Sequence, residues 1–448
     1  MPEIYYDYMR GIVTRDELFS HPELKIHAER ARHEAWNKTL SLETHDEVTK
    51  RVESAIGTSD FWVLIGGPPC QAYSLVGRSR MRADGVARFE RDSRHFLYRE
   101  YLRILRDHLP PVFIMENVKG LLSATHGKTK MFEMILDDLS MPQPGGPRYR
   151  IVPFCGSEDR LTGTPRDYVV RAERFGIPQT RHRVILCGIR EDITHDPARL
   201  TVAPPPSVSQ MLAGLPLIRS RLSKESDSQH AWLSALAEAR DAVARLDGPH
   251  RSEIISIMDI ALAQAKSRSS FGSTFLAQNI YGAESAMSLP QSLREWLDDP
   301  SIEGITSHDS RSHMRKDLHR YFYAASFAQA TGYSPNLRDF PASMLPDHAN
   351  AKRKGDTAPF KDRFHVQQGD RPSSTIVSHI SKDGHYFIHS DPSQCRSLTV
   401  REAARLQTFP DNYHFEGNRT QQFVQVGNAV PPYLAAKIAA STYRLAID

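Results

Sequence analysis

Cysteine is scarce in this chain: there are four in 448 residues, Cys70, Cys155, Cys187 and Cys395, far apart and with no Cys-x-x-Cys pair. That excludes a disulfide framework and a structural zinc site, and fits a reducing, cytoplasmic setting. No window approaches the roughly 18 consecutive apolar residues that a membrane helix needs, and the N-terminus has no signal-like apolar core. Neither sign of charge dominates. Lys and Arg number 57 against 53 Asp and Glu, and a net charge of +4 is only weak support for a polyanionic partner. Glycine is thin at the front: only Gly11, Gly57, Gly66 and Gly67 precede Cys70, with no Gly-x-Gly among them. The 20 histidines are scattered without metal-ligand spacing, so no metal is expected.

What is present starts with Phe61-Trp62-Val63-Leu64-Ile65, followed at once by Gly66-Gly67-Pro68-Pro69-Cys70-Gln71. The apolar run predicts a buried strand. The glycines and prolines stop it and fix a stiff loop at its carboxyl end, where open α/β sheets carry their chemistry. A thiol held there is a candidate nucleophile, against the plainer reading of a small residue buried after a turn. Arg78, Arg80, Arg82, Arg88, Arg91 and Arg94 follow it; further basic zones are Arg311, Arg315, Lys316 and Arg320, and Lys352-Arg353-Lys354. Such runs are usually solvated surface, but the first, beside a nucleophile, also suits a grip on phosphates.

The chain is long enough for two or three domains. Residues 1–60 read as mostly helical. Strands are predicted at 61–65, 112–115 and 184–189 with a helix over 95–108, an alternation that implies an α/β domain with a mostly parallel sheet. Pro204-Pro205-Pro206 breaks the texture, and helical pieces, clearest at 232–246, then mix with irregular polar segments. Short β-like runs occur at 375–377 and 386–388. A helix over 398–408 has Thr399 as N-cap and Glu402 placed for a capping box, and a closing helix runs from Pro432 to about Leu445.

Five constellations fall in one order: Gly67-Pro68-Pro69-Cys70-Gln71; Met115-Glu116-Asn117-Val118; Gln179-Thr180-Arg181-His182-Arg183; Arg401-Glu402-Ala403-Ala404-Arg405-Leu406-Gln407 with Phe409-Pro410-Asp411; and Gln425-Val426-Gly427-Asn428-Ala429-Val430. Singly each is weak. In this order and spacing the chain, over roughly residues 61 to 448, resembles the cytosine-5 DNA methyltransferase family.

The chemistry explains why these residue types occur together. Carbon 5 of cytosine is a poor nucleophile, and thiolate attack on C6 turns the ring into an enamine that can take a methyl group at C5. Cys70 is the candidate thiolate. Glu116, at a strand end, is the candidate carboxyl group for N3, against the plain reading of a surface carboxylate. Arg181 and Arg183 alternate along an incipient strand, so that one can face the base O2 while the other braces the cysteine loop or Glu116; the resemblance favours Arg183 for the base. It also implies a target base flipped out of duplex DNA, a mobile loop after Cys70, and DNA contacts from Gln71, Ser74, Arg78 and Thr375. For S-adenosylmethionine it implies a pocket wall of Asn428, on the loop before the last helix, with Ala429 and Val430, lined also by Pro69 and Leu97. Asparagine before a helix is also a routine cap.

One departure stands out. The family opens with a glycine-rich Phe-x-Gly-x-Gly loop and an acidic residue for the cofactor ribose, and neither occurs before Cys70. The Rossmann-like sheet is therefore expected to be N-terminally incomplete. Three explanations are open: a true start upstream, a separate polypeptide supplying the N-terminal motifs, or a degenerate relative that still binds DNA. The expected organisation is a catalytic domain over 1–203, an inserted smaller target recognition domain over 204–419, and a return to the catalytic domain over 420–448. The expected activity is methylation of cytosine C5 in double-stranded DNA, in the cytoplasm, with a restriction endonuclease as a candidate companion. Cytosine-5 methylation of tRNA, or a non-catalytic DNA-binding role, is the alternative.

Overall fold

The computed structural model describes residues 1–68, 98–126, 129–156, 164–245, 247–278, 288–346 and 362–447. Two compact units divide the chain: Ala31–Phe175 with Arg181–Ala203 and Leu434–Asp448, and Met1–Arg30 with Gly176–Thr180 and Pro204–Tyr433.

The first unit is built on a five-stranded sheet of β1 (Val63–Gly66), β2 (Val112–Val118), β3 (Tyr149–Val152), β4 (Val169–Arg171) and β5 (His182–Arg190). The order is β1-β2-β5-β3, and β4 also pairs with β5. β1 and β2 are parallel, whereas β5 runs antiparallel to β2, β3 and β4. The expected mostly parallel sheet is thus a mixed one. The link from Arg171 to His182 carries a short turn of helix at Ala172–Arg174 and the two-residue strand Gln179–Thr180, with no crossover helix. A parallel return needs a crossover of about a dozen residues or more, so β5 comes back antiparallel.

Val112, Phe113, Ile114 and Met115 are all buried, as a strand covered on both faces demands. Helices α1 (Tyr98–His108) and α2 (Met131–Ser140) cover the face that carries Phe113 and Met115, with Tyr101, Leu105, Ile135 and Leu139 sharing one core with Phe113, Met115, Val184 and Leu186. Each such side chain contributes roughly 1.5–3 kcal/mol on burial. The Tyr101 ring lies against the end of β1, where a Cβ on Gly66 would overlap it. This close approach requires the first glycine of the loop.

The second unit packs α3 (Gln229–Ala244), α4 (Arg251–Ala265) and α5 (Arg315–Thr331) around Trp232, Tyr321 and Phe322. A second core gathers on α6 (Val400–Leu406) and α7 (Arg419–Asn428). The predicted capping box at Thr399 and Glu402 is formed. The closing helix α8 spans Pro432–Ile447. Residues 1–60 are helical as expected, at Glu3–Arg10, Arg15–Ser20, Pro22–Glu34 and His45–Ile56.

The β-like runs at 375–377 and 386–388 are not strands. Ser373–Ser374 instead pairs with Gln179–Thr180, and Ile388 makes only isolated bridges. Their backbone groups find single partners: Ile388 N–H donates to the His365 carbonyl and Leu398 N–H to that of Phe387, with Gly384 turning the chain at φ 76°. Among the described residues no helix is long and apolar enough to cross a membrane.

Candidate active site

Glu116 and Arg183 meet because of the sheet register. In the antiparallel β2–β5 pair Glu116 lies opposite Ile185 and Val118 opposite Arg183, which makes Glu116 and Arg183 diagonal neighbours on one face. Arg183 Nε donates to Glu116 Oε1 at 2.8 Å, and its Nη1 donates to the His182 carbonyl at 2.9 Å. Burial pulls the Arg183 pKa down and the Glu116 charge opposes that. Arg181 is 3% exposed. Burial, reinforced by the Arg183 charge and opposed by Glu116, lowers its pKa to about 9, so it stays cationic at neutral pH. Two guanidinium groups thus accompany one carboxylate at the carboxyl end of β2.

The same strand end holds the start of the cysteine loop. A Cβ built on Gly67 would lie 3.5 Å from Glu116 Oε2, so the loop backbone passes close to the carboxylate. Asn117 Nδ2 donates to the Pro68 carbonyl at 3.4 Å, and its Oδ1 accepts from Val118 N–H at 2.8 Å. Asn117 therefore ties β2 to the backbone two residues before Cys70. Cys70 itself lies outside the described residues, as do Pro69, Gln71, Ser74, Arg78 and Leu97.

The remaining candidates belong to the other unit. Asn428 is the last residue of α7 rather than part of a loop; the chain becomes extended only at Ala429. Its side chain is exposed, and Ala429 and Val430 are half-buried. An exposed carboxamide beside apolar surface has a donor, an acceptor and a contact face to offer, which fits one wall of a site for an amino-acid-bearing nucleoside. Thr375 Oγ1 donates to the Thr180 carbonyl at 2.7 Å.

The second basic zone is divided: Arg320 is buried, Arg311 and Arg315 are half-buried, and Lys316 is exposed. Arg320 pairs with Asp317 at 2.7 Å, Arg315 with Glu225 and Glu238, and Arg311 donates to the Ser381 carbonyl and lies over Phe423. The arginines of the fourth motif are buried too. Arg405 grips Asp411 through two hydrogen bonds, and Arg401 donates to the backbone carbonyls of Thr306, Pro410 and Tyr413. Sequence reasoning missed these structural roles, as it missed Asn117, Gln179, Arg396 and Gln407.

The model for C-5 cytosine-specific DNA methylase matches residues 28–444. The chain belongs to that family. It is 37% identical over 379 residues to the type II methyltransferase M.Bpa9945I of Bacillus paralicheniformis, covering 84% of this chain and 69% of the relative. To the DNA (cytosine-5-)-methyltransferase M.ApeKI of Aeropyrum pernix it is 26% identical over 428 residues, 88% of this chain and 83% of that one. A solved structure of an Escherichia coli prophage protein titled as a DNA modification methyltransferase aligns at 17% identity and a TM-score of 0.47, over 89% of this chain and 83% of that one. As a family member the chain is a DNA cytosine-5 methyltransferase with S-adenosylmethionine as methyl donor, on a Rossmann-like α/β fold.

Proposed function

We propose that Cys70 adds to C6 of a target cytosine while Glu116 serves N3. The observation that carries this is the Glu116–Arg183 pair at the end of β2, with Gly67 beside it and Pro68 tied by Asn117 immediately upstream of Cys70. The Cys70 sulfur forms a bond to C6, and the ring electrons move toward C5. A carboxyl proton or hydrogen bond from Glu116 at N3 takes up charge developing on the ring, a contribution typically of about 10²–10⁴ in rate. Arg183 braces Glu116 through its Nε edge. An arginine carries five N–H donors, so the base O2 contact is compatible with that ion pair. S-adenosylmethionine supplies an electrophilic methyl carbon on a sulfonium; Asn428, Ala429 and Val430, with Pro69 and Leu97, would form its wall. Loss of the C5 proton and elimination of the Cys70 thiolate then restore the ring.

In this reading the base is flipped from duplex DNA. Gln71, Ser74, Arg78 and Thr375 contact the DNA, and the 204–419 segment reads the sequence between catalytic segments at 1–203 and 420–448. The protein works in the cytoplasm, and the type II names of its relatives support a cognate restriction endonuclease as companion.

One observation bears on a further partner. Among the described residues β1 pairs only with β2, and Ile65 on it is 75% exposed. An apolar edge strand invites pairing with a further strand, which suits an upstream segment in the same reading frame and a separate polypeptide bringing the glycine-rich motif equally. The test is incorporation of labelled methyl from S-adenosylmethionine into duplex DNA and into tRNA, by this chain, by a version extended upstream in its reading frame, and by Cys70→Ser. Methylation of duplex cytosine that Cys70→Ser abolishes supports the proposal. Methylation that survives Cys70→Ser, or occurs on tRNA alone, overturns it.

A further inference from the structure

Gln179 and Gln407 are both completely buried, in two different motifs, and neither is consumed by the chemistry above. Gln179 Nε2 donates to Gln407 Oε1 at 2.8 Å and to the Leu406 carbonyl at 3.1 Å, while its Oε1 accepts from Ile376 N–H at 3.0 Å. Gln407 Nε2 in turn donates to the carbonyls of Val426 and Ala429, at 2.6 and 3.1 Å. Every amide hydrogen and oxygen of the pair therefore has a partner. The chain of bonds runs from the segment that continues into Arg181 and Arg183 to the backbone that carries Asn428, Ala429 and Val430.

Two further contacts tighten the link. Ser373–Ser374 pairs in parallel with Gln179–Thr180, and Thr180 Oγ1 donates to the Ser373 carbonyl at 3.0 Å. The backbone at Val377–Ser378 presses on α7 at Gly427, where a Cβ would sit 2.7 Å from Ser378 Cα. Buried amides in a fully satisfied network are rigid, and removing one partner leaves the others unpaired at a cost of about 1–3 kcal/mol.

We propose that Gln179 and Gln407 are positioning residues that couple the Gly176–Thr180 segment to the cofactor wall within the second unit, so that each holds the other in its working geometry. This rests on the reading of 428–430 as that wall. The substitutions Gln179→Met and Gln407→Met keep length and remove the hydrogen bonds. In the full chain without ligand, amide hydrogen exchange across 427–431 should speed up at least tenfold in both variants, although the side-chain hydrogen bonds of Gln179 go to Leu406, Gln407 and Ile376. Peptides of α3, α4 and α5 should keep their rates. The inference is overturned if Gln179→Met leaves 427–431 unchanged, or if exchange rises equally throughout the unit.

Gln407→Glu keeps the acceptor for Gln179 and loses both donors. It should loosen 427–431 while Ile376 N–H exchanges as in the native chain; equal loosening at Ile376 contradicts the relay. S-adenosylmethionine binding by calorimetry separates the two readings. If Asn428→Ala leaves the affinity unchanged, or the chain binds no cofactor, the wall assignment fails whatever the exchange data say. If Asn428→Ala weakens binding tenfold while Gln179→Met leaves it intact, the coupling fails and the wall stands.

Discussion

Arg396 and Glu402 form a buried ion pair, and it offers the sharpest test of how the second unit is held together. Arg396 Nη1 and Nη2 donate to Glu402 Oε2 and Oε1 at 2.7 and 2.6 Å. Both side chains are at most 2% exposed. Glu402 Oε2 also accepts from Thr399 N–H at 2.7 Å, so the same oxygen closes the capping box of α6. Replacing Glu402 with Gln leaves one oxygen for what two did and turns an NH₂ toward the guanidinium. An uncompensated buried charge costs about 3–5 kcal/mol. Urea unfolding of Glu402→Gln, followed by far-ultraviolet circular dichroism at pH 7, should show a loss of that size. The double variant Arg396→Met with Glu402→Met removes both charges and should recover most of it. A loss below about 1 kcal/mol for Glu402→Gln, or a double variant damaged as much as the single, refutes the reasoning.

The pair also sets a pH dependence. Burial alone would push the Glu402 carboxyl up, but the charge and hydrogen bonds of Arg396, with His389 and His308, outweigh it and hold the group far below the usual carboxylate range. A carboxyl depressed in the native state contributes stability that is fully present above its unfolded value, and this is lost as pH falls below about 5. The native chain should therefore lose stability below that pH more steeply than Glu402→Gln does. Parallel curves would show that the depressed carboxyl is not the cause.

Other expectations follow from single contacts. Gly427→Ala forces a methyl against the Val377–Ser378 backbone and should cost about 1–3 kcal/mol in urea unfolding; a neutral change would mean that the loop yields. Glu116→Gln should lower methyl transfer by about 10²–10⁴-fold while the thermal midpoint shifts little, since the pair with Arg183 is partly exposed; a collapse in stability would make the residue structural. His308 is buried and neutral, its pKa lowered to about 4 by burial. The unfolded chain thus binds more protons between about pH 6.5 and 4, and stability is lost as the pH drops through that window. His308→Gln should flatten that part of the curve, and an unchanged slope assigns the loss elsewhere.

How far the sequence could be read depends on where each residue finds its partner. Thr399 and Glu402 satisfy each other three residues apart, so the capping box was visible as spacing. The apolar run of β2 was visible as composition, because a strand buried on both faces needs nothing but apolar side chains. The direction of β5 was not visible, since it follows from a return after β4 too short for a crossover helix, and the motif within that return says nothing about strand direction. Glu116 and Arg183 stand 67 positions apart, and their meeting is a consequence of register. Chemistry could nominate each, and only the β2–β5 pairing gives the 2.8 Å contact.

The arginines mark the sharpest divergence. Arg311, Arg315, Lys316 and Arg320 form one cluster of positive charge in the sequence, yet Asp317 takes up the buried Arg320 and the Ser381 carbonyl takes up Arg311, while Arg315 meets Glu225 and Glu238 at the surface and Lys316 is exposed. A guanidinium has five donors to satisfy, and sequence lists the donors without their acceptors. The amides argue the same way. Gln179 was read as a neighbour of Arg181 and Arg183, but its bonds go to Leu406, Gln407 and Ile376, about two hundred positions away. Motifs separated in sequence are thus one hydrogen-bonded structure within the second unit. Polar residues flanking the candidate catalytic groups hold the second unit together.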